Sequence, residues 1–478
     1  MDLRRSRKIA VGSLLGLAVG ALCAAVAAQT AQTAQTTQTT QTTQTAQTAQ
    51  TAQAMQTAQP TQSPGQTPTE RGRYLVRAGD CTSCHTTRSG KPFAGGLALP
   101  TPFGVIYSPN ITPDPDTGIG KWSKDDFWNA MHRGVDDEGK HLYPAFPYPW
   151  FTKLTREDVD AIKDYLATLA PVKQENRAPE LMWPLGWRGV MAGWNMLFFH
   201  PGTFEPDPGK SAEWNRGAYL VEGAGHCAAC HTPKNSLGAT RSDAALQGGS
   251  AGEHWYAPSL TGDVRNGIGD WSVAEIVEYL KTGSNDKSAS AGTMAEVVKN
   301  STQYLTDADL RAIAVYLKDI PASGDAARPE VQTGDTIARG EALYLDNCTG
   351  CHMPDGGGVS KVFPPLKRSA VIQSREPGTV LHVVLGGATI ASTTAKPSGL
   401  TMPGFAEKLN DQEIADVVNY IRNAWGNRGS LVDAGAVADV RKAAAQSPQG
   451  NPGKDRAAML VCRSKGAPAS CRDNASAQ

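Results

Sequence analysis

The sequence predicts a mainly α-helical protein built from three small tandem domains, with a long linker between the first two. Two observations predict this. The pattern Cys-x-x-Cys-His occurs three times, as Cys81-Thr82-Ser83-Cys84-His85, Cys227-Ala228-Ala229-Cys230-His231 and Cys348-Thr349-Gly350-Cys351-His352. Each copy follows a run of matching character: Arg71-Gly72-Arg73-Tyr74-Leu75-Val76, Arg216-Gly217-Ala218-Tyr219-Leu220-Val221 and Arg339-Gly340-Glu341-Ala342-Leu343-Tyr344. A pattern that recurs with its flanks is an internal repeat. A chain of 478 residues has room for about three domains of ordinary size.

Residues 1–28 read as a secretory signal. Arg4, Arg5, Arg7 and Lys8 precede an apolar stretch from Ile9 to Ala27, and Val26-Ala27-Ala28 is a cleavage pattern. A retained anchor is the other reading, because the stretch approaches spanning length. Residues 29–69 are almost wholly Gln, Thr and Ala and have no apolar period, so they form a spacer and no core. The first domain, 70–175, opens with a short helix leading into the Cys81 loop. It continues through Asn110-Ile111-Thr112 and Gly118-Ile119-Gly120-Lys121-Trp122-Ser123, where Ser123 caps a further helix. The second domain, 213–322, echoes this with Ser259-Leu260-Thr261 and Gly267-Ile268-Gly269-Asp270-Trp271-Ser272. The third spans 335–427. Closing helices are expected over 155–169, 306–317 and 410–424, since Thr-Arg-Glu-Asp, Thr-Asp-Ala-Asp and Asn-Asp-Gln-Glu are helix-start signals.

The segment 176–212 joins the first two domains. Within it, 181–199 carries Trp183, Trp187 and Trp194 among Met, Leu and Phe, which suits an element lying in a membrane surface. A strap packed on the domains and a partner-subunit surface are the competing readings. The tail, 428–478, is rich in Ala, Gly, Gln and Ser, with a helix expected over 432–445.

Each Cys-x-x-Cys-His reads as a covalent c-type haem site. The thiols of Cys81, Cys84, Cys227, Cys230, Cys348 and Cys351 form thioethers, and His85, His231 and His352 reach the iron. Zinc or thiol-redox chemistry explains one such motif but not three with matched flanks. Of the nine cysteines, Cys23 lies in the signal, while Cys462 and Cys471 are left to form a local disulfide in an oxidising compartment.

The other face of each iron separates a carrier from an open site that admits gas or peroxide. Thr401-Met402-Pro403-Gly404-Phe405 offers Met402 in the third domain, and Gly292-Thr293-Met294 offers Met294 in the second. The first domain reads Leu142-Tyr143-Pro144-Ala145-Phe146-Pro147-Tyr148 at that place, and Phe146 cannot ligate. His141 and His132 are the favoured candidates there, with Met131 nearby and an open iron as the alternative. His200, His226, His254 and His382 read as structural or exposed. Forty-six basic residues balance 46 acidic ones, so no global field favours nucleic acid. No glycine-rich phosphate loop follows a strand, so no nicotinamide, flavin or molybdenum site of the chain's own is expected.

Over roughly 70–426 the chain resembles the three-haem cytochrome c subunits of membrane-bound periplasmic dehydrogenases from acetic acid bacteria. The three haem motifs carry the resemblance, together with Asn110-Ile111-Thr112-Pro113-Asp114, Tyr143-Pro144-Ala145, Gly225-His226-Cys227 and Trp255-Tyr256-Ala257-Pro258. It implies three class I-like cytochrome c domains, three covalent haem c groups, a large catalytic dehydrogenase subunit, and delivery of electrons to ubiquinone at the periplasmic face of the cytoplasmic membrane. Trp194-Asn195 to Phe198-Phe199 and Trp214-Asn215-Arg216-Gly217 are more similar to cytochromes paired with molybdenum and iron–sulfur aldehyde dehydrogenases, which adds a small iron–sulfur subunit. The quinoprotein alcohol dehydrogenase type is the alternative; it usually carries Met where this chain has Phe146. An independent electron shuttle and a haem peroxidase are the readings from other classes.

Overall fold

The computed structural model describes residues 66–324, 330 and 332–446. The signal segment, most of the Gln/Thr/Ala tract, Cys23, Cys462 and Cys471 lie outside the described residues. In the first domain the order is α1 (Pro68–Ala78), α2 (Cys81–His85), β1 (Ala98–Thr101), β2 (Gly104–Tyr107), α3 (Lys124–Arg133), α4 (Tyr148–Phe151) and α5 (Arg156–Ala167). The linker holds β3 (Glu180–Leu181) and α6 (Val190–Phe198). The second domain has α7 (Ala212–Tyr219), a π-helical turn (Leu220–Ala224), α8 (Ala228–His231), β4 (Gly249–Ser250), β5 (Tyr256–Ala257), α9 (Val273–Thr282), α10 (Gly292–Asn300) and α11 (Asp307–Asp319). The third has α12 (Asp335–Asn347), α13 (Thr349–His352), α14 (Gly378–Gly386), β6 (Ala388–Thr389), β7 (Thr401–Met402) and α15 (Asp411–Asn423), followed by α16 (Ala434–Gln446). The protein is mainly α-helical, as the sequence predicts, and adds small antiparallel sheets that the sequence did not predict.

Local chemistry explains where the helices start. Thr67 with Glu70, Ser123 with Asp126, Ser272 with Glu275 and Asn410 with Glu413 form reciprocal capping boxes. Thr155 and Thr306 cap α5 and α11 through their side chains. Each cap satisfies backbone N–H groups that the first turn leaves without a helical partner.

The Arg-Gly repeat marks where each domain's first helix crosses its last. A Cβ at Gly72 would lie 1.9 Å from the Ala161 carbonyl oxygen; at Gly217 it would lie 2.0 Å from that of Ala312, and at Gly340 2.1 Å from that of Asp416. Only glycine lets the backbones approach this closely. The adjacent arginines seal the crossings: Arg71 binds Asp158, Arg216 binds Asp309 through two contacts of 2.8 Å, and Arg339 binds Asp416 at 2.7 Å.

The first two domains share one apolar core, in which Leu75, Val159 and Ile162 of one meet Leu220, Leu310 and Ile313 of the other. Their helices also exchange hydrogen bonds. The Tyr74 hydroxyl donates to Asp309 at 2.5 Å and the Tyr219 hydroxyl donates to Asp158 at 2.5 Å. In return, the Thr306 N–H donates to Tyr74 and the Thr155 N–H to Tyr219, both at 3.2 Å. The third domain has a separate core around Leu381, Ile414 and Val418, closed by Val437 and Val440 of α16. At the position of the two tyrosines it carries Ala342, which is exposed. It joins the second domain elsewhere. Thr379 and Tyr256 exchange hydrogen bonds of 2.7 and 3.0 Å, and the His382 ring stacks on Trp255 at 4.4 Å.

The linker begins as an edge strand, β3, paired antiparallel to β2 with Gly104 opposite Leu181. Met191 and Phe199 are buried, and the Trp194 indole donates to the Leu237 carbonyl at 3.0 Å. Its other side is bare: Trp183 is 93%, Trp187 72% and Met196 78% exposed. The segment is thus both an anchored strap and an open apolar surface. Among the described residues no helix is long and apolar enough to cross a membrane.

Candidate haem sites

A left-handed residue sets up the first two attachment loops. Asp80 (φ 49°) follows the end of α1, and His226 (φ 36°) takes the same place before Cys227. The turn that follows brings two thiols and a histidine together in each domain. The histidines are oriented alike. His85 Nδ1 lies 2.7 Å from the Pro109 carbonyl, His231 Nδ1 2.7 Å from that of Pro258, and His352 Nδ1 3.1 Å from that of Pro364. A carbonyl only accepts, so Nδ1 carries the hydrogen and Nε2 keeps a lone pair for a metal. Burial holds all three imidazoles below their ordinary pKa, which favours the neutral, ligating form.

Four of the thiols lack the character of an exchange-active cysteine. Burial pushes Cys81, Cys84 and Cys227 up to about 12, and Cys348 up to about 11. Thiol-exchange sites need the opposite shift. Among the described residues no group of three or more His, Cys, Asp or Glu is placed to hold a metal ion by itself.

The second and third sites open into one continuous cavity. His231 and Met294 line it from the second domain, and His352 and Met402 from the third, with Cys227, Cys230, Cys348 and Cys351 at its edge. Leu260, Ile268, Leu280, Val384 and Phe405 make the lining mostly apolar. An imidazole, a thioether sulfur, paired thiols and apolar walls fit a covalently attached haem c. Two glycines shape the methionine loops. Gly292 (φ 52°) lies against the Trp255 ring, where a Cβ would come within 2.4 Å. Gly387 (φ 76°) lets β7 pass, since a Cβ there would lie 2.5 Å from the Met402 carbonyl oxygen.

In the first domain, Phe146 packs against Phe151 with ring centroids 5.5 Å apart. His132 stacks on Trp128 at 4.3 Å, and its Nδ1 lies 3.3 Å from Thr152 Oγ1. His141 pairs with Val135 in a short antiparallel bridge, and its Nδ1 lies 3.4 Å from Asn195 Nδ2 on α6. Met131 is buried in the shared core. His226 is held between the domains, with Nε2 3.3 Å from the Gly79 carbonyl and its ring edge-on to Phe151. Sequence reasoning missed the proline carbonyls and the Tyr–Asp exchange. The second left a signal: Arg-Gly-x-Tyr before the haem motif, paired with Thr-x-x-Asp at the closing helix, occurs in the first two domains only.

Helical domains built around paired thiols and a backbone-oriented histidine define a c-type cytochrome with several attachment sites. The chain belongs to the cytochrome c family, whose domain matches residues 69–170, 215–321 and 337–425. It is 41% identical over 391 residues to the "Alcohol dehydrogenase (quinone), cytochrome c subunit" of Gluconacetobacter polyoxogenes, covering 78% of this chain and 84% of that one. It is 42% identical over 404 residues to the "Gluconate 2-dehydrogenase cytochrome c subunit" of Pantoea cypripedii, covering 80% and 91%. It is also 35% identical over 421 residues to the "Fructose dehydrogenase cytochrome subunit" of Gluconobacter japonicus, covering 81% and 86%.

Proposed function

We propose that the chain is the electron-transfer subunit of a dehydrogenase complex at the periplasmic face of the cytoplasmic membrane. It accepts electrons from a large catalytic subunit, passes them between three haems and delivers them to ubiquinone. The observation that carries this is the run of three cytochrome c domains together with 41–42% identity to cytochrome subunits of alcohol and gluconate dehydrogenases. Bound haem supplies one-electron redox chemistry, which divides a two-electron substrate oxidation into single steps. The chain's own residues hold and tune it. His85, His231 and His352 would hold the iron through Nε2, with the proline carbonyls fixing their tautomer, and Met294 and Met402 would supply a thioether to the second and third sites. Met/His ligation raises the potential of a haem. The shared cavity, with its mostly apolar lining, keeps those two sites adjacent. The bare face of the strap, with Trp183, Trp187 and Met196, suits the headgroup boundary of a lipid bilayer, where indole rings settle.

For the partner, the residues around Trp194 and Trp214 support the molybdenum and iron–sulfur aldehyde dehydrogenase type, with a small iron–sulfur subunit. A quinoprotein alcohol dehydrogenase is the second reading, favoured by the likeness to the Gluconacetobacter subunit. Native mass spectrometry of the detergent-extracted complex, with metal and haem quantification, decides between them. Molybdenum and iron–sulfur in a large partner support the first, and a quinone cofactor with calcium supports the second. A chain that extracts intact and alone, under conditions that preserve related complexes, overturns the subunit reading in favour of an independent shuttle.

A further inference from the structure

The first and second domains can be aligned through their backbones. Helices α3 and α9 both end on a left-handed glycine, Gly134 (φ 65°) and Gly283 (φ 81°). A two-residue bridge follows each, Val135 with His141 and Ser284 with Ala289. Counting five residues on from the second bridge partner reaches Phe146 in one domain and Met294 in the other. Counting back two residues from the glycine pairs His132 with Lys281. Lys281 turns its ammonium to the Leu305 carbonyl at 2.9 Å and to Asp307 at 3.2 Å, whereas its neighbour Leu280 lines the cavity. His132 turns toward Thr152 in the same way.

The hydrogen bonds give His141 the wrong tautomer for a ligand. Asn195 Oδ1 accepts from the Tyr148 hydroxyl at 2.6 Å, so the amide nitrogen of Asn195 donates to His141 Nδ1 at 3.4 Å. In a neutral ring whose Nδ1 accepts, Nε2 carries the hydrogen and has no lone pair to offer. This is the reverse of His85, whose Nδ1 faces a carbonyl. His132 is held by other contacts: its Nδ1 lies 3.3 Å from Thr152 Oγ1, which takes the Gly202 N–H at 2.9 Å, and its ring stacks on Trp128 at 4.3 Å.

We infer that the first haem site offers its iron one side-chain ligand, His85, with Phe146 standing where Met294 stands in the second domain, and that the open position takes small strong-field ligands: carbon monoxide on ferrous iron and cyanide on ferric iron. The inference rests on the haem reading above. An iron with one axial histidine is high-spin and exchangeable, and its potential is set without a thioether. The site is thus chemically distinct from the two that Met294 and Met402 line.

The test uses the full holoprotein. Covalent haem is counted by mass, spin state is read by electron paramagnetic resonance, and carbon monoxide and cyanide are titrated by absorbance. The expected result is three haems, one of them high-spin, with one carbon monoxide and one cyanide bound per chain. Phe146→Met should turn that haem low-spin and abolish carbon monoxide binding. Three low-spin haems and no ligand binding in the wild type overturn the inference, whether or not the variant folds. Loss of one low-spin signal in His141→Ala, His132→Ala or Met131→Ala, the last being the residue that aligns with the cavity-lining Leu280, would then assign the true ligand. A chain with no haem on Cys81 and Cys84 overturns the attachment itself, and the inference with it.

Discussion

At the scale of single residues, the attachment chemistry is written in the sequence and its tuning is not. Adjacent thiols and a histidine are a local pattern, and a methionine in a returning loop is nearly so. The carbonyls of Pro109, Pro258 and Pro364 lie 12 to 27 residues downstream of the histidines they orient, and no local pattern announces them. The contacts of His132 and the tautomer of His141 depend on Thr152 and Asn195, which lie outside the segments that carry the histidines. Met402→Ala should convert the third haem from low- to high-spin and lower its potential, measured by redox titration with optical detection. An unchanged spectrum would remove Met402 from the ligand set. Arg422 offers a second test. It is fully buried and donates to the carbonyls of Ile372, Ser374 and Ser430 at 2.8 to 3.2 Å, and burial lowers its pKa to about 10. Arg422→Met leaves three carbonyls without a donor, at a cost of about 1–3 kcal/mol for each that water does not reach. The third domain should melt earlier in a calorimetric scan while the first two are unchanged.

At the scale of elements, helix starts were legible because caps are local, and the crossings were half legible. The Arg-Gly runs marked three equivalent helices, but the reason for glycine lies in the partner helix more than 75 residues away. Gly217→Ala should force α7 from α11, since the added carbon meets the Ala312 carbonyl at 2.0 Å. Overpacking of this kind costs about 1–3 kcal/mol, and the thermal midpoint should fall with haem still attached. An unaltered midpoint would show that the crossing relaxes freely. The strap was ambiguous in the sequence. Its apolar composition left a lipid-facing element, a packed strap and a partner surface all open, and Leu181, Met191 and Trp194 tie it to the protein while Trp183, Trp187, Met196 and their neighbours stay bare. Replacing Trp183 and Trp187 with serine should reduce co-flotation with anionic liposomes severalfold while leaving haem spectra intact. Unchanged flotation would take the strap out of membrane docking.

At the scale of the whole molecule, the sequence showed three equivalent domains, and the structure pairs two of them over one core. The reason was invisible locally: Tyr74 and Tyr219 are bonded to carboxylates of the opposite domain. Tyr74→Phe with Tyr219→Phe removes two bonds to charged acceptors, each about 1.5–3 kcal/mol. The first two domains should then melt at lower temperature while the third keeps its midpoint. A pH dependence follows from Asp309. Burial alone would raise its pKa, but the hydrogen bonds and charge of Arg216, helped by Tyr74, hold it below the ordinary value. A depressed carboxyl contributes stability that is whole above the unfolded value of about 3.9 and is lost as pH falls through the folded value. The paired domains should therefore lose stability below about pH 4, and Asp309→Asn should flatten that slope while lowering stability at neutral pH. Melts from acid to neutral pH would show the difference, and parallel curves would exclude Asp309 as its source.

The Tyr–Asp exchange has a further consequence. Each partner gives the other the same patch that it receives, so the contact is isologous and uses up both surfaces at once. Head-to-tail repeats can be lengthened without limit, but a two-fold contact of this kind is saturated by a single pair. Copying one unit of this chain would produce couples rather than a rod. The unit bearing Ala342 stands outside the couple, attached by a contact of its own.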